Sequence, residues 1–152
     1  MKTHAQAVVI GGGVIGCSIL YHLTKLGWSD VVLLERDELT SGSTWHAAAN
    51  IHGLHDSTNI SRIQHYTMNL YKELEEETGQ GCGVFQPGSL YLAQTENRSH
   101  QLQLQASKAK FYGMNFSEVS RKEAQELHPL VNFDGIRTIM WEPDGGNVDP
   151  SG

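Results

Sequence analysis

Two cysteines in 152 residues are too few for a disulfide framework. Cys17 falls inside an expected buried helix and Cys82 between two glycines, so no thiolate metal cluster is indicated and a reducing compartment fits best. Long hydrophobic runs are also missing: no stretch approaches the ~18 apolar residues of a membrane span. Basic charge is thin. Eleven Lys and Arg against seventeen Asp and Glu leave a formal net charge of -6, and the basic residues are scattered along the chain, which argues against a nucleic-acid surface. Only Met1 to Gln6 precede the first apolar run, too few for a signal or transit peptide. The expectation is a cytoplasmic, bacterial protein, or a mitochondrial-matrix one if a eukaryotic targeting segment has been removed.

What is present is organised most clearly at the start. Ala7-Val8-Val9-Ile10 is a β-branched run ended by three glycines, the pattern of a buried strand entering a tight turn. From Val14 to Leu26, the residues Ile15, Ile19, Leu20, Leu23 and Leu26 recur at helical spacing, and Gly27 supplies a stop. Val31-Val32-Leu33-Leu34 is a second apolar strand. Strand, helix and strand within forty residues make a βαβ unit with parallel, buried strands.

The turn between the first strand and the helix reads Gly11-Gly12-Gly13-Val14-Ile15-Gly16, a G-x-G-x-x-G pattern that is weak alone. Context strengthens it. It follows a strand, opens a helix, and is answered by Glu35, nineteen positions after Gly16, near the ~20 expected of a dinucleotide-binding fingerprint. Gly11 permits the sharp turn, Gly13 lets the backbone approach a pyrophosphate, and Gly16 lets helix and strand pack closely. Helix N-H groups and the positive dipole end face the phosphates. Glu35 accepts from ribose hydroxyls and repels a 2′-phosphate, which favours FAD or NAD over NADP.

From Thr40 to about Asn59 runs a polar, weakly periodic segment, the kind of long loop that is usually functional. Ser61 is the expected cap of a helix to Thr78, ended by Gly79, whose Glu73 to Glu77 cluster reads as a solvated face. Val84-Phe85 and Ser89-Leu90-Tyr91-Leu92-Ala93 read as strands around Gln86-Pro87-Gly88. Thr95 to Tyr112 reads as a helix closed by Gly113, and Ser120-Arg121-Lys122-Glu123 as a capping-box start of a helix ending before Pro129. Ile136 to Trp141 reads as a strand. The fold class expected is α/β: a Rossmann-like FAD-binding βαβ unit, then the start of an α+β substrate domain. The expected domains are residues 1–83, the N-terminal part of the FAD-binding domain; 84–147, the start of a substrate or cap domain; and 148–152, a return toward the first. Turn formers from Gly145 to Gly152 suggest the N-terminal part of a longer protein.

Val31-Val32-Leu33-Leu34-Glu35-Arg36, followed by Glu38-Leu39-Thr40-Ser41-Gly42-Ser43-Thr44-Trp45-His46-Ala47-Ala48, resembles the start of the dimethylglycine dehydrogenase and sarcosine dehydrogenase family of flavoproteins. The likeness continues through Leu70 to Gly79 and Gln86-Pro87-Gly88-Ser89 to Asp149-Pro150. In that family the histidine of S-T-W-H is bonded to the 8α-methyl carbon of FAD, which points here to His46. The resemblance further implies FAD contacts at Val14 and Ile15, at Glu35 and Arg36, and along the loop from Gly42, Ser43, Thr44, Trp45, Ala47 and Ala48 to Asn50. The family usually has Gly-Leu where this chain has Ala49-Asn50.

The activity so implied is oxidative demethylation of an N-methyl amine such as dimethylglycine or sarcosine, giving formaldehyde or, with tetrahydrofolate in a longer protein, a folate one-carbon unit. The acceptor so implied is either oxygen or an electron-transfer flavoprotein. No catalytic base stands out in these residues, and the 152 residues alone are expected to be inactive. His52 and His55 with Asp56 lack the third or fourth donor that zinc needs, and are read instead as lying near the flavin or substrate mouth. Tyr66, Tyr71 and Trp141 read as packing residues. Two rival classes are a non-catalytic relative of the pyruvate dehydrogenase phosphatase regulatory type, which lacks the linking histidine, and an NAD-dependent oxidoreductase.

Overall fold

The computed structural model describes residues 3–151. Contacts group the chain into two compact units, one within residues 1–49 and 150–152, the other formed by Asn50–Asp149. The division falls at Ala49/Asn50, whereas the change of sequence pattern falls near Gly83.

The first unit is the expected βαβ element. Strand β1 (Ala7–Ile10) leads into helix α1 (Val14–Lys25), which returns to β2 (Val31–Leu34). The two strands pair in parallel, Ala7 with Val31 through Ile10 with Leu34. Of the expected apolar face of α1, Leu20 and Leu23 are half-buried, whereas Ile15, Ile19 and Leu26 are exposed. The helix approaches the sheet through Gly16 instead, whose would-be Cβ lies 3.5 Å from a Val9 methyl. Of the two strands expected to be buried, only Val9 is so; Ala7, Val31, Val32 and Leu33 are half-buried, and Val8, Ile10 and Leu34 are exposed, Ile10 by 85%. A parallel sheet is normally covered on both faces, and here one helix covers one face.

The second unit begins with β3 (Asn50–Ile51), which pairs antiparallel with β7 (Gly146–Asn147). Helix α2 (Thr58–Thr78) starts three residues before the expected cap. Its N-cap is Ser57, and Ser61 is buried within it, accepting from the His55 N-H and donating to the His55 carbonyl. Gly79 ends it in the left-handed conformation. Val84 and Phe85 form no strand; Phe85 makes an isolated antiparallel bridge to Asn147.

The remainder is a three-stranded antiparallel sheet in the order β4 (Ser89–Ala93), β6 (Thr138–Glu142), β5 (Ser117–Glu118). Side chains alternate across it. Tyr91, Ala93 and Met140 pack with Leu102 and Ala109 of α3 (Glu96–Phe111), together with Phe116 and Leu54. Leu90, Leu92 and Ile139 pack on the other face with Ala124 of α4 (Arg121–Leu127), Phe133 and Ile136. Both helices are capped as their sequences require, α3 by the Thr95 hydroxyl and α4 by the reciprocal Ser120–Glu123 box. No helix among the described residues is long and apolar enough to cross a membrane.

Leu102 is fully buried in the α3 face of this unit. Leu102→Ala should lower stability by about 2–5 kcal/mol, the range for an aliphatic core truncation that leaves a cavity. The check is the midpoint of urea unfolding followed by far-ultraviolet circular dichroism, which should fall with an unchanged denaturant slope.

Candidate functional site

The glycine turn is held in shape by crowding. Gly11 has φ +104°, a left-handed conformation that side chains disfavour. A Cβ on Gly16 would lie 1.8 Å from the Gly11 carbonyl oxygen, so helix and turn could not coexist with any larger residue there. At Gly12 a Cβ would meet Leu39 at 2.6 Å and Glu35 at 3.1 Å, and at Gly13 it would meet the Thr44 hydroxyl at 2.8 Å. Gly16 is thus required by contact with backbone, and Gly12 and Gly13 are crowded by the side chains of Leu39, Glu35 and Thr44.

Glu35 sits at the end of β2 and reaches into the turn. Its Oε2 accepts from the Gly12 N-H at 2.6 Å, and its Oε1 accepts from the Arg36 and Asp37 N-H groups at 2.7 and 3.1 Å. These donors favour the ionised form and hold the carboxyl below the usual range, Gly12 contributing most and the Arg36 guanidinium adding a smaller charge effect. A carboxylate has about four lone-pair sites. Three backbone donors thus leave acceptor capacity for a ribose hydroxyl.

The S-T-W-H block folds back on the same turn. Residues 39–46 form consecutive turns, anchored by the Thr40 N-H, which donates to the Gly12 carbonyl at 3.0 Å with Thr40 in a left-handed conformation. Thr44 Oγ1 accepts from the Val14 N-H at 3.0 Å, so a hydroxyl from thirty residues away caps α1 where Gly13 offers no side chain. Its own hydrogen remains available to donate to a phosphate oxygen at the helix N-terminus. Trp45 Nε1-H donates to the Ser41 carbonyl at 3.0 Å, and its ring lies 3.9 Å from that of His46, tilted by 36°. His46 Nδ1 is 2.9 Å from the Gly42 carbonyl. A carbonyl can only accept, so Nδ1 carries the hydrogen and neutral His46 keeps its lone pair on Nε2. The side chain is exposed.

Of the residues named from sequence, Gly11, Gly13, Val14, Gly16, Glu35 and Thr44 converge on the turn, and Gly42, Trp45 and His46 form the adjoining loop. Ile15, Arg36, Ser43 and Ala47 lie on the exposed surface of this unit, and Ala48 opens the exit from the loop. Gly12, Leu39 and Thr40 went unnamed as site residues, although a third consecutive glycine, beyond the two the motif needs, is a signal of close packing. Ala49 adopts φ +51°, where a side chain costs roughly 1–2 kcal/mol. That is the position at which the resembling family usually has glycine.

The histidines farther on are engaged locally. His55 Nδ1 accepts from the Ser57 N-H at 3.1 Å, and His52 Nε2 lies 3.3 Å from the Gln64 amide. Among the described residues no group of three or more His, Cys, Asp or Glu side chains is disposed to hold a metal.

A strand, a glycine turn built for close approach, a helix N-terminus capped by a hydroxyl that can still donate, and a carboxylate at the next strand end define a dinucleotide-binding protein. The residues fit the ADP half of such a cofactor, because Thr44 keeps a hydroxyl hydrogen for a phosphate oxygen at the α1 N-terminus and Glu35 keeps acceptor capacity for a ribose hydroxyl. The chain belongs to the FAD dependent oxidoreductase (DAO) family, which it matches over residues 6–152. It is 42% identical over 149 residues to the mitochondrial dimethylglycine dehydrogenase of Rattus norvegicus, covering 98% of this chain and 17% of that protein. It is also 42% identical over 153 residues to the mitochondrial sarcosine dehydrogenase of Homo sapiens, covering all of this chain and 17% of that protein. The crystal structure of L-proline dehydrogenase from P. horikoshii superimposes with a TM-score of 0.89 at 26% identity, over 99% of this chain and 39% of that one. The chain therefore spans a small part of the relatives it matches.

Because the folded-state pKa of Glu35 is lowered, its bonds to the turn are present at neutral pH and are lost as pH falls through that lowered value. The Gly12 amide should therefore shift in a proton–nitrogen correlation spectrum with an apparent pKa below that of an unperturbed glutamate. The shift should be absent in Glu35→Gln.

Proposed function

We propose that this chain carries the phosphate-binding turn and the covalent attachment residue of an FAD-dependent enzyme that oxidatively demethylates an N-methyl amino acid. The observation that carries this reading is the convergence of Glu35 and Thr44 on the Gly11–Gly16 turn, with His46 two residues beyond Thr44. In this reading Gly11 to Gly16 and the α1 N-terminus hold the pyrophosphate, and Glu35 holds the adenosine ribose. Thr44 donates to a phosphate oxygen, and His46 Nε2 forms the bond to the flavin ring.

The two relatives described above are named for dimethylglycine and sarcosine, which supports an N-methyl amino acid as substrate. The flavin, when bound, supplies the two-electron acceptor for oxidation of the N-methyl carbon. The oxidised amine is then hydrolysed to formaldehyde and the demethylated product. In a longer protein tetrahydrofolate would capture the carbon, and an electron-transfer flavoprotein would take the electrons.

This chain's own contribution is to hold. The Nδ1-H bond to the Gly42 carbonyl fixes the tautomer that leaves Nε2 nucleophilic, and the Trp45 ring limits the rotation of the imidazole. No residue among those described is assigned as the base that deprotonates the amine.

The test is acid precipitation of the full-length holoprotein. Yellow, fluorescent flavin should remain with the wild-type polypeptide and leave the His46→Ala polypeptide, while native His46→Ala still binds FAD through the turn. A wild-type protein that contains no flavin would contradict the reading and favour a non-catalytic relative.

A further inference from the structure

Three successive carbonyls in the S-T-W-H loop are aimed at two residues. The Thr40 carbonyl accepts from the Trp45 backbone N-H at 3.3 Å, the Ser41 carbonyl from the Trp45 indole N-H at 3.0 Å, and the Gly42 carbonyl from His46 Nδ1 at 2.9 Å. The indole so held lies 3.9 Å from the imidazole, ring centre to ring centre. Burial does not fix either ring, since Trp45 and His46 are both exposed. The orientation of His46 is therefore set by the direction in which the 40–42 backbone runs.

That run starts at Thr40, whose φ of +67° is a left-handed conformation that a β-branched residue rarely adopts. Such strain persists only where the surroundings over-determine it. Here both sides of the residue are held. The Thr40 N-H donates to the Gly12 carbonyl at 3.0 Å while the Thr40 carbonyl accepts from Trp45, so one residue is bonded to the glycine turn at one end and to the imidazole arm at the other. Because φ is the torsion that relates the N-H of a residue to its carbonyl, an ordinary negative φ at Thr40 would break one of the two bonds. The bond from the Val14 N-H to Thr44 Oγ1 ties the middle of the loop to α1 and fixes where it lies, whereas Thr40 fixes which way its carbonyls face. All of these residues belong to the first unit.

We infer that Thr40 is a positioning residue for flavin attachment, its left-handed backbone registering against the glycine turn the carbonyls that orient Trp45 and His46. This rests on the covalent reading given above. Thr40 acts through His46 and takes no part in the bond that forms.

The test uses the full-length holoprotein and scores the fraction of protein-bound flavin that survives acid precipitation. A general loss of folding lowers total flavin but leaves this fraction unchanged. Thr40→Pro removes the N-H and locks φ at ~−65°, and its acid-stable fraction should fall by about threefold or more. Thr40→Val keeps the backbone bonds and the β-branch without the hydroxyl, and Thr40→Gly keeps the N-H and reaches positive φ without strain; each should retain roughly half or more of the wild-type fraction. In the wild type, amide hydrogen exchange resolved by electron-transfer fragmentation should be about tenfold slower at Thr40 and Trp45 than at Ser43. A flavin-binding Thr40→Pro with the wild-type fraction would overturn the inference, as would a loss in Thr40→Val equal to that in Thr40→Pro. Should Thr40→Pro bind no flavin, the exchange decides: Thr40 and Trp45 amides that exchange as fast as that of Ser43 would overturn it. Wild-type flavin that washes out entirely in acid would instead overturn the covalent reading on which the inference rests.

Discussion

The contact on which the first unit turns is that between Gly16 and the carbonyl of Gly11. With no Cβ at Gly16, the first turn of α1 sits against the end of β1, and the helix axis is aimed so that its N-terminal N-H groups open beside the turn. Everything else at the site is arranged around that approach. Glu35 ties the turn from the β2 side, Thr44 caps the helix, and the Thr40 N-H binds the Gly12 carbonyl from the loop side. Three residues distant in sequence thus depend on one position at which any side chain would collide with backbone.

This arrangement gives the 39–49 loop two duties. Its early residues, Leu39, Thr40 and Thr44, complete the turn, and its later ones present an imidazole whose tautomer is set by a carbonyl four residues back. Packing of the first half therefore determines the starting point of the second. The loop then passes through Ala49 into β3 and the second unit, whose own core is built independently on two faces of a three-stranded sheet.

The parts of the fold legible in sequence were those in which a local pattern and a local partner coincide. The helix opening at Thr95, the Ser120–Glu123 box and the glycine ends at Gly79 and Gly113 rest on neighbours within a few residues, and the β1–α1–β2 run pairs strands joined by a single helix. The family was legible because S-T-W-H is a specific block. Illegible were the strands of two residues, β3, β5 and β7, whose pairing is set by partners up to about a hundred positions away and leaves no alternation to read. Ser61 looked like a helix cap because a serine at the head of an apolar period usually is one; here its hydroxyl closes a loop around His55 inside the helix. Ile15 and Ile19 followed the helical period yet face outward, since the contact with the sheet passes through Gly16, a residue that periodicity counts as neutral. Glu142, before a proline at a strand end, carries no sequence sign of burial.

The proposed cofactor is held at both ends, by the turn at its phosphates and by His46 at its ring. Tryptic digestion of the full-length holoprotein releases residues 37–62 as one peptide, which contains His46, His52 and His55. Mass spectrometry should find that peptide heavier by one FAD, with fragmentation assigning the addition to His46. Recovery of the unmodified peptide from flavin-containing protein, or an addition on His52 or His55, would contradict it.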